Sequence, residues 1–208
     1  MNKIKKVLTI IIVAIILIGV LLTVGIGNYF VNYAIARSGN GGNREIKEES
    51  KIEVLSEDEQ LIEDNRKSAN ESAQNWASNI VNKKVEIKAD DGIALRGTEN
   101  WAIVLHGYRA EPKSVLTIGE HFSEKGYNVL IPSMRACADS DGEFVGMGWL
   151  DKDDLKCWIN LVLAENSNAK IILHGSSMGA VTVLMASGDE LPSNVNAIIA
   201  DSGYTSVW

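Results

Sequence analysis

A chain of 208 residues has room for one domain of ordinary size together with appendages. Hydrophobic residues at 46% and charged residues at 23% are the proportions of a globular protein and exclude a fibre or a wholly disordered chain. A net charge of -7 removes the electrostatic basis for binding nucleic acid, which needs clustered Lys and Arg on one face.

Residues 1–6 carry Lys3, Lys5 and Lys6, and residues 7–26 carry no charge, being almost entirely Val, Ile, Leu, Ala and Gly. At about 1.5 Å per residue such a run covers the roughly 30 Å hydrocarbon core of a bilayer, whereas the apolar part of a signal peptide is about 7 to 15 residues long. The run therefore predicts one N-terminal transmembrane helix. Ala34 and Ala36 form an A-x-A pair, so cleavage is the alternative, although the pair lies well past the end of the run. Lysines before the helix, and only Arg37 soon after it, put the N-terminus in the cytoplasm and everything beyond the cell membrane outside it.

Residues 27–70 read as a polar and acidic linker, with glycines at 39, 41 and 42 and acids at Glu57, Asp58, Glu59, Glu63 and Asp64. A solvated charged face accounts for these acids, and Ser56 with Glu59 has the spacing of a capping box. Ala73, Trp76, Ala77, Ile80 and Val81 fall on one helical face, so the compact domain is expected over 71–208. Val85, Ile87 and Ala89 alternate with polar residues, Asp90-Asp91-Gly92 makes a turn, and Ile93 and Leu95 resume the alternation, which predicts a hairpin. Short apolar runs at 102–105, 129–131, 171–173 and 197–200 have the character of buried parallel strands. Between them Leu155, Trp158, Ile159, Val162 and Leu163 keep helical spacing. The fold class is α/β, a mostly parallel sheet with helices on both faces and an N-terminal hairpin.

The run 171–173 leads through His174 into Gly175-Ser176-Ser177-Met178-Gly179, followed by the apolar helical stretch 180–186. This is the G-x-S-x-G pattern between a strand and a helix, where a sharp turn lifts the serine oxygen above the sheet and the flanking positions must be small. The spacing selects Ser177 as the nucleophile over Ser176; the plain alternative is a Gly-Ser turn. The strand at 102–105 ends in His106-Gly107-Tyr108-Arg109, where such an architecture turns backbone N–H groups toward a developing oxyanion. The amides of Tyr108 and Met178 are the two expected donors. Cys137 and Cys157 sit in no Cys or His spacing that holds zinc, so no metal is expected; their pairing is left open.

The chain resembles the bacterial membrane-anchored, cell-surface α/β-hydrolases, relatives of the S33 serine aminopeptidases and the monoglyceride-lipase-like group. The resemblance rests on His106-Gly107-Tyr108-Arg109, on Pro132, Arg135, Ser140 and Gly142, and on Gly146-Met147-Gly148-Trp149-Leu150-Asp151. It continues in the elbow and in Asp201-Ser202-Gly203-Tyr204-Thr205-Ser206-Val207-Trp208, and so covers about residue 85 to the end. The Arg-Gly-His-Gly usual after the fourth strand is replaced by Arg135-Ala136-Cys137-Ala138. The resemblance implies a serine hydrolase acting on a small ester or acyl compound, with peptides as the alternative substrate, and with no metal or cofactor. Ser177, Tyr108 and Met178 take the nucleophile and oxyanion roles.

In this fold the order along the chain is Ser, then acid, then His. His106 precedes Ser177 and reads as structural, as do His121 and His174. No histidine follows Ser177, and the acids that do are Asp189, Glu190 and Asp201. Asp201 follows the next strand, from which some relatives supply the acid; the competing reading is that it is structural. The resemblance leads one to expect two further strands, so the chain is expected to be truncated at its C-terminus. The alternative function is a catalytically inactive remnant or an interaction protein.

Overall fold

The computed structural model describes residues 3–35, 56–79, 84–88, 94–98 and 101–206. Its helices are α1 (Lys3–Ile35), α2 (Glu57–Asn79), α3 (Leu116–Glu124, entered through a 3-10 turn at Pro112–Val115), α4 (Asp151–Glu165) and α5 (Met178–Ser187). Its strands are β1 (Lys84–Lys88), β2 (Ala94–Thr98), β3 (Ala102–Leu105), β4 (Val129–Pro132), β5 (Ile171–Ser176) and β6 (Val195–Asp201).

The sheet runs β1-β2-β4-β3-β5-β6. The first two strands pair antiparallel with Ile87 opposite Leu95, β2 joins β4 antiparallel, and β4, β3, β5 and β6 are mutually parallel. The expected hairpin is present, while its turn at Asp90-Asp91-Gly92 lies outside the described residues, as do Ile80 and Val81. In a strand successive side chains take opposite faces. Along β3 and β4 this sorts Ala102, Val104, Val129 and Ile131 onto the face covered by α3, with Leu116, Ile118 and Phe122. Ile103, Leu105 and Leu130 go to the other face with Leu155, Trp158, Ile159 and Val162 of α4. Trp158, Ile159, Ile103 and Leu173 are fully buried, each stabilising the fold by about 1.5–3 kcal/mol or more.

Two boundaries differ from those the composition suggests. The first helix does not stop at Ile26 but continues to Ile35, into the expected linker. The added turns contain no proline, and Asn32 Nδ2 donates back to the Asn28 carbonyl at 2.7 Å, so the polar side chains there serve the helix's own backbone. Its stretch Thr9–Ile35 is long and apolar enough to cross a membrane. The second helix runs unbroken through residue 70, where the linker was expected to end. It starts at the capping box: the Glu59 amide donates to Ser56 Oγ at 3.3 Å, and the Ser56 amide donates back to Glu59 Oε2 at 2.9 Å. Its C-terminal half lies on α3, with Ala73 buried and Ser72 Oγ donating to Glu120 at 2.8 Å. Glycine at position 119 lets the helices close in: a Cβ there would stand 2.7 Å from Ile131 Cδ1, which would have to turn aside, and 3.4 Å from the Trp76 ring.

Candidate active site

The site is built at the C-terminal end of β5. Ser177 stands between that strand and α5 with φ 55° and ψ -114°, in a region L-residues avoid. The turn is this sharp because its flanks are glycine: a Cβ on Gly175 would collide with the Gly179 carbonyl, and one on Gly179 would lie 2.5 Å from the Leu105 carbonyl oxygen. The Ser177 amide donates to the Asp201 carbonyl at 2.8 Å and its carbonyl accepts from the Val181 amide at 3.1 Å, so the elbow is held from both sides. Met178 opens α5, and an amide there has no intrahelical acceptor and lies at the positive end of the helix dipole.

The strand β3 pairs with β5 so that Leu105 faces Gly175, which brings the segment after β3 alongside the elbow. A Cβ on Gly107 would meet Ser177 Cβ at 3.3 Å and Oγ at 3.8 Å. Tyr108 follows directly, so the two residues expected as donors lie on either side of Ser177. Arg109 next to it has φ 53°.

Each histidine is accounted for. His106 is fully buried, its Nε2 accepts from the Met134 amide at 3.1 Å, and its Nδ1 lies 2.9 Å from the Gly107 carbonyl. With Nε2 an acceptor, the proton resides on Nδ1 and is donated to Gly107. Burial pushes the His106 pKa down, keeping the ring neutral; its role is to fix the Gly107 turn. His174 is buried on β5 beside Phe122, with ring centroids 6.2 Å apart, and burial lowers its pKa as well. His121 is on the exposed side of α3. Among the described residues no hydrogen bond joins a histidine to Ser177.

Of the three acids after Ser177, Asp201 ends β6 opposite Ser176, and its Oδ1 accepts from Ser202 Oγ at 2.9 Å. Asp189 lies elsewhere, accepting from Lys152 at 2.7 Å and Lys156 at 2.5 Å, and these two ammonium groups pull its pKa down to about 2. The structure thus brings Ser177, Gly107, Tyr108, Met178 and Asp201 together around one turn.

Two supports of the site went unrecognised in the sequence. Arg135 forms a buried bidentate pair with Asp154, Nε to Oδ2 at 2.6 Å and Nη2 to Oδ1 at 2.5 Å, tying the loop after β4 to α4. Asp151 Oδ2 accepts from the Gly148 amide at 2.8 Å and closes the loop Gly146-Met147-Gly148 against Val181 of α5. Burial raises the Asp151 pKa to about 6, only partly offset by the Gly148 hydrogen bond. A conspicuous run of glycines ending in an aspartate at a helix start was the available signal for the second. Cys137 and Cys157 are both thiols, the former buried.

Comparison with known proteins agrees with this fold. The pattern of a family described as alpha/beta hydrolase fold matches residues 101–208. The uncharacterized protein YqkD of Bacillus subtilis is 33% identical over 113 residues, which are 54% of this chain and 37% of that protein. An esterase of Pyrococcus furiosus superposes with a TM-score of 0.54 at 26% identity over 59% of this chain and 50% of the esterase. The alpha/beta hydrolase GrgF of Penicillium, at 23% identity, a TM-score of 0.50 and 57% and 45% coverage, shares the fold. The chain thus spans well under half of YqkD and about half of the esterase.

Proposed function

The chain belongs to the alpha/beta hydrolase fold family, and from that premise we propose a membrane-anchored serine hydrolase that cleaves carboxylic esters or small acyl compounds through an acyl-enzyme on Ser177. The observation that carries the reading is the strained Ser177 backbone, with φ 55° and ψ -114°, set against Gly107 and at the start of α5. Strain of this kind persists only where surrounding structure enforces it, and here it sets Ser177 against Gly107, with Tyr108 and Met178 next along the two segments. In the proposed reaction Ser177 Oγ bonds to the acyl carbon, its proton passes to a base and on to the departing alcohol, and water then releases the acid by the reverse path. The Tyr108 and Met178 amides would hold the oxyanion in both halves. Asp201 is the candidate acid by its place beside the elbow. Residues 7–26 anchor the protein in the cell membrane, with the domain on the outer side. A peptide substrate, cleaved as by an aminopeptidase, is the alternative within the same chemistry.

A serine needs an oriented base to act as a nucleophile, and no histidine follows Ser177 in the 208 residues. The alternative function is a non-enzymatic interaction protein. Activity-based labelling separates the two. The 208-residue chain should react only slowly with a fluorophosphonate and cleave p-nitrophenyl butyrate barely above background. Joined to an acid- and histidine-bearing segment of the same fold, it should do both at least a hundredfold faster, and lose both on Ser177→Ala. Absence of any gain on that extension would favour the interaction protein. Fast, Ser177-dependent labelling of the chain alone would point to a base within it, with His106 the first to replace.

A further inference from the structure

We propose that the end of the anchor helix docks on the mouth of the Ser177 site and holds it at the membrane surface, so that the substrate is an acyl ester of an amphiphile resident in that membrane. The substrate part rests on the reading of Ser177 as nucleophile, and both parts rest on the reading of residues 7–26 as a membrane anchor.

An α-helix leaves its last carbonyls without intrahelical partners. In α1 three of them are taken by the catalytic domain. The Tyr33 carbonyl accepts from Arg109 Nη2 at 2.9 Å, the Ala34 carbonyl accepts from the Tyr108 hydroxyl, and the Ile35 carbonyl accepts from the Val145 amide at 2.7 Å. A guanidinium at this end also meets the negative pole of the helix dipole. Tyr108 and Arg109 directly follow Gly107, which lies against Ser177, so one short loop touches both the nucleophile and the anchor.

The depth of that contact follows from the helix itself. Residues 7–26 fill the hydrocarbon core, and Tyr29, Phe30 and Tyr33 come next. Tyr29 stacks on Tyr33 with centroids 6.1 Å apart, and Tyr29 and Phe30 are exposed. Aromatic residues at this position mark the headgroup level of a membrane. From Ile26 to Tyr33 is about 10 Å at 1.5 Å per residue, a few ångströms past a headgroup layer some 5–8 Å thick. Tyr108 and Arg109 therefore rest on the bilayer surface. The same loops expose Tyr108, Phe144, Trp149 and Leu150, the tryptophan at 66%. Phe144 precedes the docked Val145, and the other two follow it within five residues. An apolar rim on loops bonded to a membrane helix is placed to enter the interface, and an amphiphile whose ester is drawn up past its headgroup neighbours reaches Ser177 with its apolar chain still in the membrane.

Two measurements on the full chain in phosphatidylcholine vesicles test this. A bimane fluorophore placed at Trp149→Cys, with Cys157→Ser, should be quenched at least twofold more by headgroup-nitroxide lipid than one at Asn168→Cys, at the opposite end of β5 and about 20 Å away. The double replacement Tyr108→Phe with Arg109→Ala should bring the two positions closer to equal. Equal quenching in the unaltered loop overturns the docking. A fluorophosphonate with a long alkyl chain should label Ser177 at least tenfold faster in vesicles than a short water-soluble one, and equal rates overturn the membrane substrate. Labelling by neither probe, even after extension by the acid- and histidine-bearing segment, removes the nucleophile and the substrate with it, whereas the quenching still decides the docking.

Discussion

Ala136 and Ala138 have φ 58° and 44°, in the left-handed region that favours glycine. They occupy the positions where the resemblance expects the two glycines of Arg-Gly-His-Gly, so the chain here takes a conformation glycine favours without having glycine. A methyl-bearing residue in this conformation costs about 1–2 kcal/mol, while glycine costs about 0.4–1 kcal/mol through the greater freedom of the unfolded chain. Ala138 is exposed, so no packing is lost when its methyl goes. Ala138→Gly should stabilise the protein by about 0.5–1 kcal/mol in denaturant unfolding, and Ala138→Val should destabilise it. Ala136 is buried, and loss of its methyl contacts should leave Ala136→Gly close to neutral. A destabilising Ala138→Gly would show that the left-handed turn is not strained in solution.

The start of α4 shows what an element can encode that single positions do not. Asp151 begins the helix, is almost wholly buried, and holds the Gly148 amide; its carboxyl is raised from 3.8 to about 6. A group whose folded pKa lies above its unfolded one binds its proton more tightly when folded, so its contribution is complete below about pH 4 and is lost as the pH rises through 6. Two units correspond to about 3 kcal/mol. The stability difference between Asp151→Asn and the native protein should therefore move by about 2 kcal/mol in the variant's favour from pH 4 to pH 7, where the unfolded carboxyl is already partly ionised at the lower end, and a difference independent of pH would refute the buried, proton-binding carboxyl. Much of this scale was legible in advance. Period-two and wholly apolar runs located β1 to β6, and Leu155, Trp158, Ile159 and Val162 marked the buried face of α4. The elbow was visible because only glycine fits at 175 and 179. What the sequence concealed was of two kinds. The alanines at 136 and 138 carry no outward sign of positive φ. The docking of Tyr108 and Arg109 on Ala34 and Tyr33 joins residues more than seventy positions apart, and nothing local to either segment announces it.

At the level of the whole molecule the parallel part of the sheet ends in an edge at β6. Strand β6 pairs with β5 alone among the described residues, which leaves its second row of backbone donors and acceptors facing outward. Its side chains are little covered: Ile199 is 42% exposed and shares a groove of about 470 Å³ with Thr117, Ile118, His121 and Phe122 of α3 and Lys125 just after it. Nearby Leu184 and Met185 on α5 are exposed as well. An apolar edge strand of this kind templates pairing with another chain, whereas an outward lysine blocks it at little cost to the fold. The 208-residue chain in detergent should therefore self-associate increasingly with concentration, as read by light scattering after size exclusion. Ile199→Lys should reduce the associated fraction several-fold while leaving the melting temperature within about 2 °C, because a half-exposed side chain gives up little burial. A native chain that stays monomeric across the same concentrations, or an Ile199→Lys form that associates as strongly, would mean that β6 is not the surface through which molecules meet.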